Sequence, residues 1–204
     1  VNLPALVTAV ETRIGNPSTD GFYTTAQKED LVNEGLSLIS TDHDWPWLFG
    51  TANVSAVAAD GDYAVPADWC RTRSLVIDGY APLVLLSAQE IRAISTTDRG
   101  QPLYYTIDDD QILVRPLPDA SYTIIHDYVK VEPILATTAT PLMPAQFHYA
   151  IVAAAASLAF LRAGDGGRAA AAERAVQAWL QRMRSFKRRA AGPRRVVVRP
   201  GSAI

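Results

Sequence analysis

Cysteine is nearly absent from this sequence: Cys70 stands alone. One thiol cannot close an intramolecular disulfide, and a cysteine-based metal site needs more ligands than that. Long hydrophobic runs are missing as well. Apolar residues make up 49% of the chain, enough for a substantial core. No window reaches the roughly 20 consecutive apolar residues that a membrane span requires. The most apolar stretch, from Ile151 to Leu161, is short and mostly alanine. The opening Val1-Asn2-Leu3-Pro4 has no basic segment followed by an apolar run, so no secretory signal is expected and cytoplasmic synthesis is the default. The chain also lacks the motifs of the common enzyme classes. It has no Gly-x-Ser-x-Gly, no His-Glu-x-x-His and no phosphate-binding loop with its lysine.

Three histidines are present, His43, His126 and His148. In Asp42-His43-Asp44 the three side chains follow one another at a helix end and point apart, so they do not converge on one ion. His126 falls in a strand-like run and His148 early in a helix, where a histidine satisfied by a neighbour or lying at the surface is the simpler expectation. Asp108-Asp109-Asp110 has the oxygens for a hard cation but lacks the loop and distal glutamate of a calcium hand, and a hairpin turn explains it. Arg71 and Arg73 flank Cys70 closely enough to favour a thiolate, but no base accompanies it, and a semi-buried, inert cysteine is expected. No catalytic residue, cofactor or metal site is therefore predicted.

The sequence does contain a strong asymmetry of charge. Residues 1–167 hold 9 Lys/Arg and 20 Asp/Glu, a balance of -11, whereas residues 168–204 hold 10 Lys/Arg and one acid, Glu173, a balance of +9. Such polarity selects partners and directions of approach and does not define a fold. The basic end suits an acidic protein rim, nucleic acid, or the acidic body of a neighbouring copy. No aromatic residue follows Phe186 to stack on bases and no nucleic-acid module is recognisable, while arginine is enriched at protein interfaces. A protein partner is thus the primary reading and a DNA-binding accessory factor the alternative.

Periodicity divides the chain in three. Leu6, Val10 and Ile14 share one face of a helix over 4–14, and Thr24 or Thr25 opens a second helix with Leu31, Leu38 and Ile39 as its stripe. Trp45, Pro46, Trp47 and Leu48 form an aromatic plug expected between a helical and a β part. From Thr51 to Pro133, short β-branched and aromatic runs (74–77, 83–86, 103–107, 112–115 and 122–131) alternate with Asp-Gly and Pro turns. This predicts five to seven strands, mostly antiparallel hairpins, with a short helix over 87–94 opened by a Ser87/Glu90 capping box. Helix resumes at Pro144 and runs to Arg162, with Phe147, Ile151, Ala155, Leu158 and Leu161 or Arg162 facing inward. A turn at Gly164-Asp165-Gly166-Gly167 follows. A last helix from Arg168 to Arg189 directs Val176, Trp179, Leu180, Met183 and Phe186 inward. The fold class is α+β: residues 1–50 and 141–190 form a discontinuous helical bundle, 51–140 a mostly antiparallel β insertion, and 191–204 an extended arm. In that arm Val196-Val197-Val198 is suited to adding a strand to a partner.

The order of these pieces resembles a known family. Asp44-Trp45-Pro46-Trp47-Leu48 follows an N-terminal helix pair. Tyr63-Ala64-Val65-Pro66-Ala67-Asp68-Trp69 and Arg71-x-Arg73-Ser74-Leu75 come next, then Gly100-Gln101-Pro102-Leu103-Tyr104-Tyr105-Thr106-Ile107 and Leu113-Val114-Arg115-Pro116-Leu117-Pro118-Asp119. Pro144-x-x-Phe147-His148 opens an alanine-rich helix, and a basic helix closes the pattern. Over residues 3–190 this is similar to the head-to-tail connector (adaptor) proteins of tailed bacteriophages. The resemblance implies a non-enzymatic virion protein made in the cytoplasm of a bacterial host, without cofactor or membrane. It implies a homo-oligomeric ring, typically of twelve copies, between the portal protein and the tail or a second connector. Packaged DNA would pass through that ring without specific binding. The portal-facing element would then be Arg184, Lys187, Arg188, Arg189, Arg194, Arg195, Val196, Val197, Val198 and Arg199.

Overall fold

Two capped helices begin the chain. Helix α1 spans Leu3–Ile14; the Asn2 side chain accepts the Ala5 N–H, and Gly15 closes the helix in the left-handed region at φ 68°. Helix α2 spans Thr25–Asp42 behind Thr24, whose hydroxyl accepts the Gln27 N–H while the Gln27 side chain returns to the Thr24 N–H. The computed structural model describes residues 1–15 and 22–190. The chain divides into two units: Val1–Trp47 together with the segment from Ile134 onward, and the inserted Leu48–Pro133.

The helical unit is completed by α4 (His148–Arg162), entered through a 3₁₀ turn at Ala145–Phe147, and by α5 (Gly166–Ala190). A turn with Gly164 at φ 74° joins the two, and Asp165 caps α5 by accepting the Arg168 N–H at 2.9 Å. Helix α4 packs on α1, α2 and α5 at once. It therefore buries more than the expected stripe: residues 150–157, 159 and 160 are all buried, whereas Leu158 is half-buried and Leu161 is 62% exposed. Alanine makes this possible, because its small side chain lets three neighbours approach one helix. Gly35 of α2 is part of the same close packing. A Cβ there would lie 2.9 Å from the Ala155 nitrogen and 3.2 Å from the Ile151 oxygen.

Helix α2 buries Lys28, Leu31, Val32, Gly35, Leu36 and Ile39, and Leu38, expected inside, is 54% exposed. Lys28 is fully buried and its Nζ meets Glu11 Oε1 of α1 at 2.9 Å. A buried charge without such a partner would be costly, so the pair fixes α1 against α2. The Asn33 side-chain amide accepts the Leu135 N–H at 2.8 Å and donates to the Leu135 carbonyl, pinning the returning chain to α2. Trp45 is fully buried, donates its indole N–H to the Ile39 carbonyl at 2.7 Å, and stacks on Trp47 with ring centroids 5.0 Å apart.

In the β unit, strands β1 (Phe49–Ala56), β7 (Tyr122–Lys130) and β3 (Trp69–Ile77) form one antiparallel sheet in the order β1-β7-β3. Strands β2 (Asp62–Ala64), β6 (Gln111–Arg115), β5 (Tyr104–Asp108) and β4 (Val84–Leu85) form the second, in the order β2-β6-β5-β4. One core draws on both sheets: Ala56, Tyr63, Leu75, Ile77, Tyr105, Ile112, Val114 and Ile124 are buried together. Helix α3 (Ala88–Ala93) carries the expected Ser87/Glu90 capping box and packs against β5. The fold is α+β, a helical bundle built from both ends of the chain with an inserted, mostly antiparallel β region. The expected hairpins are a different matter. Among the described residues only β5 and β6, joined at Asp109 (φ 51°), form a tight hairpin. Strand β4 pairs with β5 in parallel, and β7 returns to lie between β1 and β3.

Candidate functional site

The predicted interaction element begins on α5, where the amphipathic pattern buries Ala169, Ala172, Val176, Leu180 and Met183 against the bundle. Arg184, on the flank of that face, holds both carboxylate oxygens of Asp42 at 2.9 and 2.7 Å and so fastens α5 to α2. Both contacts are made by Nη2 alone, and Arg184 remains half-exposed. Lys187, Arg188 and Arg189 lie in the last turns of α5. Arg194, Arg195, Val196, Val197, Val198 and Arg199 lie outside the described residues.

The other flank of α5 carries a feature that periodicity did not reveal. Phe186, expected inward, is 44% exposed and meets the edge of Phe147 with centroids 5.4 Å apart. The two rings stand at the margin of an open groove of about 630 Å³, lined also by Gln146, Ala178, Gln181 and Arg182. Arg182 lies over the half-buried Trp179 ring at 5.0 Å. Ala178 and Arg182, four residues apart, lie side by side on the helix face that lines the groove. Among the described residues no carboxylate lines this groove. An aromatic floor with arginine beside it is the composition of binding hot spots. The sequence signal was there in Trp179-x-x-Arg182-x-x-x-Phe186, but it read equally well as core.

The remaining candidates are structural. The His126 Nε2 lies 2.8 Å from the Thr72 hydroxyl, which also accepts the Trp69 indole N–H at 3.1 Å. Burial pushes the His126 pKa below its ordinary value. His148 is buried with Nε2 2.9 Å from the Met143 carbonyl, and burial again depresses its pKa. His43 caps α2 and packs its ring edgewise on Trp45. Asp108 pairs with Arg92 beside the turn it helps to form. Cys70, expected to be semi-buried, is exposed, because a register irregularity between Trp69 and Arg71 turns it out of the ladder. Among the described residues no group of three or more His, Cys, Asp or Glu side chains is placed to hold a metal, and no helix is long and apolar enough to cross a membrane. The chemistry this surface offers is binding, through aromatic contact and positive charge.

The family described as SU10 adaptor protein matches residues 1–200 of the chain. No curated protein matches it.

Proposed function

The chain belongs to the SU10 adaptor protein family, and from that premise we propose that it is a subunit of the ring that joins the phage portal to the tail or to a second connector. The family is one of phage structural proteins, whose members are part of the virion and interact with other phage head or tail proteins. Within that role our reading is a ring of about twelve copies, as the resemblance implies, extending the DNA channel. Residues 184–199 form its portal-facing element in this reading. Arg184, which holds Asp42, stands at the inner margin of that element, and Lys187, Arg188, Arg189, Arg194, Arg195 and Arg199 carry its charge. Val196, Val197 and Val198 add a strand to the portal. The acidic body lets DNA pass without adhering, because like charges repel.

The observation that carries this reading is the match of an adaptor family over residues 1–200, a span that includes the basic segment. Among the described residues, Met183 is the last buried side chain of the bundle. Removing residues 191–204 is therefore expected to leave the circular dichroism spectrum and melting temperature unchanged while abolishing capture of N-terminally tagged protein by portal-bearing heads. Equal capture of the truncated and full chains would overturn the assignment of the arm. Salt-sensitive retention on duplex DNA, with no head capture by either form, would favour the DNA-binding accessory role instead.

A further inference from the structure

The groove beside Phe147 and Phe186 needs an occupant of matching chemistry: an apolar anchor accompanied by negative charge. The chain presents such an element on its β unit. Between β1 and β2, the turn at residues 57–60 exposes Val57 (54%), Ala58, Ala59 and Asp60. Exposed carboxylates of Asp62 and Asp119 belong to the same end of the β unit, where the Ala59 N–H donates to the Pro118 carbonyl at 2.8 Å.

This turn is held firmly. The Asp60 N–H donates to the Val57 carbonyl at 3.1 Å. The hydroxyl of the buried Tyr63 donates to the Asp60 carbonyl at 2.5 Å and accepts the Val57 N–H at 3.3 Å. Ala59 sits at φ 68°, a region an L-residue occupies only when its surroundings impose it. A fixed backbone that displays an apolar side chain to water, with a carboxylate three residues on, is pre-organised for docking. Little ordering entropy remains to be lost on association.

We propose that the Val57–Asp60 turn of one copy docks in the α5 groove of a second copy, Val57 packing on the exposed Phe186 ring where it borders the groove and Asp60 meeting Arg182. Charge complementarity selects a second copy as the occupant. Residues 48–133 carry 12 Asp/Glu and 6 Lys/Arg, whereas α5 carries 7 Lys/Arg and one acid. Arg182, which lines the groove, makes no ion pair among the described residues. The contact joins two different patches, so it repeats from copy to copy and closes into a ring when the rotation permits. It deepens the adaptor reading, and rests on it for the expectation that copies stand side by side.

Disulfide trapping tests this with purified full-length chain in which Cys70→Ser removes the native thiol. One preparation carries Ala58→Cys and another Ser185→Cys. Mixed and oxidised, they are expected to form dimers at least about tenfold faster than either alone, because docking raises the local thiol concentration. Adding Arg182→Glu should abolish that advantage, and adding Asp60→Arg to the partner preparation should restore it. The chain carrying both cysteines is expected to give a ladder of multimers. Dimer formation no faster in the mixture than in the single preparations, with both variants melting as the parent does, overturns the inference. So does a mixture that is insensitive to Arg182→Glu. A single rapid intramolecular closure in the double variant, with no ladder, would place the turn in its own groove and overturn it equally. The assay contains no portal, so its failure leaves the adaptor reading to the head-capture experiment, and the reverse holds as well.

Discussion

His126 lies on the inner face of β7 between Ile124 and Tyr128, fully buried. Thr72 occupies one ring nitrogen, and the other, Nδ1, finds no hydrogen-bond partner among the described residues. In His148 Nε2 is the bonded nitrogen, facing the Met143 carbonyl, and Nδ1 again has no partner among those residues. Each ring is thus held neutral, and a proton added to it would be a buried charge. Burial lowers both pKa values, offset in part by Asp127 near His126 and by the Met143 carbonyl at His148. The unfolded chain binds protons at these sites once the pH falls below the ordinary histidine value of about 6.5, while the folded chain resists them. Stability is accordingly full above that value and is lost as the pH falls toward the depressed native values. Denaturant titrations between about pH 7 and about pH 5, a range above the ordinary carboxylate pKa values, should show a falling unfolding free energy. The double variant His126→Asn/His148→Asn should be less stable at pH 7 and show a much flatter dependence. A parent protein equally stable at both ends of the range would refute this account.

At the scale of elements, helix α2 shows how closely the bundle is fitted. Gly35→Ala in an exposed helix would gain about 1 kcal/mol of propensity. Here the new methyl group meets the α4 backbone at Ala155 and Ile151, and backbone atoms cannot step aside as a flexible side chain can. Overpacking of this kind costs about 1–3 kcal/mol, so the expected outcome is a net loss. It would be read as a lower denaturant midpoint with an unchanged slope. A midpoint at or above that of the parent would show that α2 and α4 can separate freely. The same helix marks what the sequence could disclose. Its start was legible to within one residue, as Thr24 or Thr25, because a capping hydroxyl is a local device; the return contact from Gln27 was not read. Its buried face was legible only in part. Leu31 and Ile39 announced themselves, but Lys28 and Gly35 carry no hydrophobic signal, and Leu38 carries one that tertiary packing leaves unused. Strand pairing was hidden for a related reason. Alternation along β7 reveals which side chains face inward but not that β1 and β3 lie on either side of it, partners distant in sequence. The groove beside α5 was not legible because Phe186 at helical spacing is indistinguishable from core until the bundle is assembled around it.

For the whole molecule, the order of helices, β insertion and helices was readable from the change in period, and the separation of charge from simple counting. The charge separation has a kinetic consequence. A basic segment approaching an acidic partner is steered by long-range attraction, and steering weakens once salt shortens the screening distance to a few ångströms. Within residues 191–204 the charge and the strand-forming residues can be separated experimentally. Replacing Arg194, Arg195 and Arg199 by Gln keeps Val196-Val197-Val198. It is expected to slow capture by portal-bearing heads about tenfold at low salt and to remove roughly half of the salt dependence, since Lys187, Arg188 and Arg189 remain. Replacing the three valines by Ser keeps the charge. That variant should associate at the parental rate with the parental salt dependence but dissociate faster, since strand addition and side-chain burial govern residence more than approach. If the Gln variant is captured as fast as the parent, with the same salt dependence, the basic arm does not steer docking. If the arginines act instead on nucleic acid, the parent chain will be retained on duplex DNA with a steep salt slope. The Gln variant's slope will then be shallower by about 3, because each arginine removed leaves one phosphate unneutralised. Comparing the two slopes, on heads and on DNA, assigns the charge of the C-terminal segment to one partner or the other.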